Sequence, residues 1–290
     1  MSTIIITGAD ASYFSLVQGT VRSLRSKPEG AKATLGFLDL GCTPTQLAWL
    51  QEQVDIIRRP TWQLTFALRE QVPAYLKGIW GKPFLPRFFP GYETYLWIDA
   101  DAWVQDWRGI ELFLAGAALR GLAIMPEVDR GSEIQYGGLF GYWNLAFRWY
   151  KAAYGEQVAQ KLWTHPMLNT GVFALRANTP HWGLWADSLA EALQQLTDVA
   201  QASVMTEQLA LNRAVYSSLF DQTEMLPGWC NWTCHWGFPR WDPNRMCLVE
   251  PYLPHTPLGV VHLTTEKYDQ VELLTIEGQP VTQSLRFRES

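Results

Sequence analysis

The segment Tyr95-Leu96-Trp97-Ile98-Asp99-Ala100-Asp101 constrains this chain more than any other. Leu96, Trp97 and Ile98 form a short continuous apolar run, the pattern of a strand buried on both faces. Two carboxylates follow at i and i+2, which puts both side chains on one face of an extended backbone. Two unpaired carboxylates at the mouth of a buried strand repel each other and lose hydration. A divalent cation such as Mg²⁺ or Mn²⁺ removes that penalty. Hard ions take oxygen ligands and often hold substrate phosphates with one or two protein carboxylates. The segment therefore predicts a metal–diphosphate site at the carboxyl edge of a parallel sheet, where open α/β folds bind ligands. A bare Asp-x-Asp is also common as a solvated turn or a helix cap. The apolar run before it, and Trp103-Val104 after it, weigh against that alternative.

The surrounding pattern is α/β. Thr3 to Thr7 reads as a buried strand ended by Gly8-Ala9-Asp10, and Ala11 to Arg25 follows with helical apolar spacing at Phe14, Val17, Val21 and Leu24. Ala33 to Leu38 is a second strand closing in Asp39. Thr43 caps a helix that has Pro44 at its first position, and Val54 to Ile57 is a third strand. The β-α-β-α-β order implies parallel strands and right-handed crossovers, a Rossmann-like half. Residues 60–93, interrupted by Pro73, Pro83, Pro86 and Pro90, predict a helix and then a packed loop. Further strands are expected at Leu122 to Met125 and Gly171 to Leu175, with a last core strand at Leu258 to Leu263. Helices are expected over 142–162, 181–196 and 205–219. With no repeat, low-complexity run or clear linker, residues 1–290 read as one domain, the C-terminal third forming a lobe over the sheet.

Composition narrows the function classes. Nearly half of the 290 residues are hydrophobic (48%), enough for a full core. A net charge of −5 without a Lys/Arg cluster argues against nucleic acid and against a polybasic membrane anchor. No apolar run approaches the roughly 18 residues of a membrane span. Ser2 to Gly8 is too short, and lacks the basic residues, for a leader. The expected compartment is the cytoplasm, with Cys42, Cys230, Cys234 and Cys247 as free thiols. The Cys230/Cys234/His235/Cys247 spacing fits no strong zinc pattern. Fifteen tryptophans, concentrated between Trp229 and Trp241, suit a binding surface, because rigid amphipathic rings order at little entropic cost.

Seven short motifs in order then resemble glycosyltransferase family 8, the glycogenin and bacterial lipooligosaccharide galactosyltransferase group, whose members have the GT-A fold. They are Ala9-Asp10-Ala11-Ser12-Tyr13, Phe37-Leu38-Asp39-Leu40-Gly41, the basic segment with Lys82 and Arg87, Asp99-Ala100-Asp101, Leu168-Asn169-Thr170-Gly171-Val172, Glu207-Gln208-Leu209-Ala210-Leu211-Asn212, and Val261-His262-Leu263-Thr264-Thr265-Glu266-Lys267. The resemblance implies a Rossmann-like, mostly parallel central sheet flanked by helices, with an aromatic-rich C-terminal lobe. Residues 1–130 would form a nucleotide-binding half and 131–290 a donor-sugar and acceptor half. It implies a metal site of Asp99, Asp101 and His262, with Asp10 and Tyr13 at the base and ribose. Lys82, Arg87 and Lys267 would lie near the diphosphate, and Asn169, Glu207 and Gln208 near the reacting sugar. Where the family has an acid, Leu209 stands here; Thr265 replaces a glycine, and Lys267 comes one residue early.

The activity so implied is transfer of a hexosyl group from a nucleoside diphosphate sugar, a uridine diphosphate (UDP) sugar, to an acceptor hydroxyl with retention, assisted by Mn²⁺ or Mg²⁺. Trp229, Trp232, Trp236 and Trp241 would stack on the acceptor carbohydrate. Whether Glu207 attacks as a nucleophile or stabilises an oxocarbenium-like centre is open from sequence. Two alternatives are a non-catalytic GT-A-like sugar-binding module and a sugar-1-phosphate nucleotidyltransferase. The latter class opens with a Gly-rich, Arg-containing loop after the first strand, and this chain has only Gly8 there.

Overall fold

A computed structural model of the chain describes residues 2–131, 141–199, 206–264 and 268–288. The expected opening is present: β1 (Thr3–Ala9), α1 (Phe14–Arg25), β2 (Thr34–Asp39), α2 (Pro44–Gln53) and β3 (Ile56–Arg58). The start of α2 follows from its sequence. Thr43 accepts the Gln46 N–H, Gln46 returns the bond to the Thr43 N–H at 2.8 Å, and Pro44 needs no partner. Asp39 ends β2 by accepting the Gly41 and Cys42 N–H groups and pairing with Arg59, while Gly41 takes a φ of 127°. The Phe37–Gly41 motif is thus a strand-to-helix turn.

After short helical turns over residues 76–88 comes β4 (Thr94–Ile98), buried throughout. Tyr95 and Trp97 join Ile4, Ile6 and Leu38 in one apolar cluster, while Leu96 and Ile98 join Ile5, Leu35 and Phe37 in another. The strand is therefore covered on both faces, as its apolar run predicts. It stops at Ile98. Asp99, Ala100 and Asp101 form a turn, with Ala102 N–H bonded to the Asp99 carbonyl at 3.1 Å, rather than the extended continuation expected. The chain then enters β5 (Ala102–Val104), which belongs to a second sheet.

The rest of the order is α3 (Trp107–Arg120), β6 (Leu122–Pro126), α4 (Gly141–Tyr154), α5 (Glu156–Leu162), β7 (Leu168–Arg176), α6 (His181–Gln194), α7 (Thr206–Ala214) and β8 (Thr223–Met225). The single helix expected over 142–162 is split at Gly155, whose φ is 84°. The main sheet runs β3-β2-β1-β4-β7-β6-β8. It is parallel except at β7, which lies antiparallel between β4 and β6. Pattern alone does not carry a strand's direction, and β7 inverts because its connections differ. Its inversion brings its N-terminal end to the edge where β1, β4 and β6 end.

The strand expected at 258–263 is real but lies outside the main sheet. After β9 (Trp232–Thr233) and the hairpin of β10 (Arg240–Asp242) with β11 (Cys247–Val249), β12 (Val260–His262) pairs with β5 and β9. A hairpin of β13 (Val271–Leu274) and β14 (Pro280–Gln283) follows. None of the described helices is long and apolar enough to cross a membrane.

Candidate active site

The register of β6 against β7 slips between Ile124 and Met125, so Thr170, Gly171 and Val172 have no partner on β6. Such an irregularity beside a site re-aims backbone groups. Here the Thr170 carbonyl accepts the Lys82 ammonium at 3.0 Å, the Thr170 N–H donates to the Gln208 side chain at 3.2 Å, and the Gly171 carbonyl accepts the Asp99 N–H at 2.7 Å. One local distortion in β7 thus gathers residues from four elements.

The Asp99–Asp101 turn and the end of β12 meet at this point. Asp99, Asp101 and His262 each offer a ligand atom, all within 4.8 Å of one another, and they are the one such group among the described residues. His262 Nε2 lies 3.5 Å from Asp101 and 3.9 Å from Asp99. Two carboxylates and an imidazole are a donor set able to hold a divalent metal ion. Burial disfavours a charged His262, but Asp101 and Asp99 more than offset this and hold its pKa above the ordinary value. His262 and Asp99 crowd against β7: a Cβ on Gly171 would sit 2.2 Å from His262 Cε1 and 2.9 Å from Asp99 Oδ2.

Lys82 is buried beside them, 3.1 Å from Asp99, 3.8 Å from Glu207 and 5.3 Å from the Trp97 ring centre. Burial lowers its pKa, yet the surrounding carboxylates leave it net raised, so it is a fixed cation. Trp97 donates its indole N–H to Asp99 at 2.6 Å. Glu207, in the first turn of α7, is also fully enclosed. Burial pushes its carboxyl up to about 7, against the pull of Lys82. It accepts the Thr170 hydroxyl at 3.1 Å, and its other oxygen has no hydrogen-bond partner. Gln208 and Asn169 both donate to Glu127 Oε1, at 3.1 and 2.8 Å. Asn212, at the end of the same motif, stitches α7 to β7 through Leu168 N–H (2.7 Å) and Leu168 O (3.0 Å).

These groups floor a cleft of about 900 Å³. Asp10 and Tyr13 stand at its β1 side. Asp10 holds a turn by accepting from Ser12 and Tyr13 N–H, and it also lines the cleft. Tyr13 is exposed, and partial burial with nearby Asp101, Asp10 and Asp99 raises its pKa.

Several predicted residues lie elsewhere. Arg87 is exposed, packs over Phe84 and does not line the cleft. Of the four tryptophans, Trp236 alone lines it. Trp229 packs under Arg108, Trp232 is buried with its N–H on the Gly237 carbonyl, and Trp241 sits in β10 against the C-terminal apolar cluster. Their rings fill a lobe core. Leu209 is also buried, among Tyr142, Ala146 and Tyr150, so its substitution takes no polar group out of the cleft. Lys267, with Thr265 and Glu266, lies outside the described residues.

Glu127, Trp97 and Asn231 are the site residues the motifs miss. Glu127 had a signal, since it too follows an apolar strand, Leu122–Pro126. Asn231 had none.

No protein-family model matches the chain, and no curated protein does. Solved structures do. The galactosyltransferase LgtC in complex with donor and acceptor sugar analogues is 12% identical over 91% of this chain and 88% of that one, with a TM-score of 0.50. Mouse xyloside xylosyltransferase 1 in its apo form is 12% identical over 79% of this chain and 86% of that one, also at 0.50. The architecture is therefore the GT-A glycosyltransferase fold, as the motifs resembling family 8 imply.

Proposed function

We propose that the chain is a metal-dependent glycosyltransferase that moves a hexosyl group from a nucleoside diphosphate sugar, with uridine as base, to an acceptor hydroxyl, retaining anomeric configuration. The observation that carries this reading is the Asp99–Asp101–His262 group beside the buried Lys82 at the floor of a cleft of nucleotide-sugar size. A bound Mn²⁺ or Mg²⁺ would neutralise charge growing on the departing diphosphate. Lys82 adds a permanent positive charge at the same edge. Asp10 accepts from the ribose or base, and Tyr13 stacks on the base. Glu207, with one buried oxygen unpartnered, faces the anomeric carbon, and Gln208 and Asn169 hold the sugar hydroxyls. Retention rests on the resemblance to family 8. The structure solved with donor and acceptor sugar analogues supports both classes of partner.

The test is nucleoside diphosphate release from a panel of nucleotide sugars, with and without Mn²⁺, in wild type and Asp101→Ala. The expected result is metal-dependent release, greatest with a UDP-sugar and lost in the variant. Release of pyrophosphate would instead identify a nucleotidyltransferase. Donor binding without turnover, indifferent to metal and to Asp101, would leave a binding module.

Trp236 is the acceptor platform in this reading. Losing one stacked aromatic ring costs on the order of 1 kcal/mol, so Trp236→Ala raises acceptor KM by about 5-fold. Trp241→Ala leaves that KM unchanged and lowers Tm instead, a contrast read from acceptor titrations and thermal melts.

A further inference from the structure

We infer that Asn231 is a positioning residue that fixes the His262 ring with a proton on Nδ1 and Nε2 directed at Asp99 and Asp101. The inference rests on reading Asp99, Asp101 and His262 as a metal site.

The polarity of the contact is set by the backbone. The Gly171 N–H can only donate, and it points at Asn169 Oδ1 at 3.0 Å. The Asn169 amide is therefore oriented, and its NH₂ meets Glu127 Oε1 at 2.8 Å. Asn169 Oδ1 also faces Asn231 at 2.9 Å, so Asn231 must present its NH₂ there. That leaves Asn231 Oδ1, which can only accept, 3.2 Å from His262 Nδ1. His262 must then donate from Nδ1. Asn169, Asn231 and His262 are 5%, 0% and 4% exposed, so water is poorly placed to substitute for any link. Asn231 is itself held by its N–H on the Gly228 carbonyl (3.2 Å), and the next residue, Trp232, starts β9 alongside β12.

The consequence falls on the other ring nitrogen. An imidazole whose Nδ1 carries the proton offers its lone pair at Nε2, the atom beside Asp99 and Asp101. Metal-ligating histidines commonly have their second nitrogen held this way, and loss of the holding group weakens metal binding by about 10- to 100-fold. The tautomer and orientation of the His262 ring are thus set from a backbone N–H on β7, through two amides.

The test is ¹⁵N NMR of the histidine rings in protein loaded with diamagnetic Zn²⁺, with His262 assigned from the signal missing in His262→Gln. The expected result is a proton on Nδ1 and the metal on Nε2. A proton on Nε2, or metal on Nδ1, overturns the inference. In parallel, Asn231→Ala should weaken Mn²⁺ binding by about 10- to 100-fold. Asn231→Asp keeps an acceptor for Nδ1 but loses the NH₂ that donates to Asn169 Oδ1, so it should recover only part of that loss. Unchanged Mn²⁺ affinity in Asn231→Ala also overturns the inference. If Asn231→Ala does not fold, the wild-type ring signal still decides. Should wild type bind neither ion, the metal reading fails. The metal-free ring then decides separately, because a missing Nδ1 proton would refute the hydrogen-bond chain itself.

Discussion

Lys82→Met should destabilise the protein by about 3–5 kcal/mol near neutral pH, the cost of removing one partner from a buried ion pair. Lys82 is the buried cation that touches both Asp99 and Glu207, at 3.1 and 3.8 Å. Methionine restores the volume and leaves the carboxylates without it. The deficit should depend on pH in a defined sense. Glu207 has its folded pKa raised to about 7 from an ordinary 4.5, so the folded state holds this proton more tightly than the unfolded chain. Stability therefore falls as pH rises from 4.5 through 7. Without Lys82 the Glu207 pKa rises further, and the variant's deficit widens above neutrality and shrinks toward about pH 5. Urea unfolding of both proteins at about pH 5 and about pH 8 measures this. An equal deficit at both values would show that Lys82 does not act through Glu207 and stabilises the fold through its other contacts.

The second large effect is expected at Gly171. An added methyl would lie 2.2 Å from the His262 ring and 2.9 Å from both Asp99 Oδ2 and Asn169 Oδ1. None of these is the free end of a flexible chain, because His262, Asp99 and Asn169 are each held by hydrogen bonds or strand pairing. Gly171→Ala should therefore cost about 1–3 kcal/mol through overpacking. It should also push the ligands apart, weakening Mn²⁺ binding by about 10-fold or more. Thermal melts and Mn²⁺ titration separate the two effects. A variant with wild-type Mn²⁺ affinity would mean that β7 can move aside.

The sequence carried the β1-to-β3 half and both faces of β4, because apolar period and capping chemistry are local. It also brought Asp99, Asp101 and His262 together, although only the resemblance linked the histidine to the two acids. What it could not carry was direction and partnership. The inversion of β7 depends on distant connections, and so does the slip beside Met125 that exposes Thr170 to Lys82 and Gln208. The tryptophans misled for a related reason. Ring abundance between Trp229 and Trp241 fits a binding surface and a lobe core equally, and only packing shows that Trp236 reaches the cleft. Leu209 reads as a lost polar group until α7 is seen to present it to Tyr142 and Tyr150 rather than to the cleft.

The turn at Asp99–Asp101 is where the chain leaves one sheet for the other, and His262 stands at the end of the strand paired with β5. An ion held by all three residues would act as a rivet between the two sheets. Its binding energy would then be folding energy, about 2.7 kcal/mol when the free ion stands at 100 times its Kd. The integrity of the C-terminal lobe would in this way be tied to the supply of divalent metal, and a protein starved of its ion would lose cohesion as well as activity.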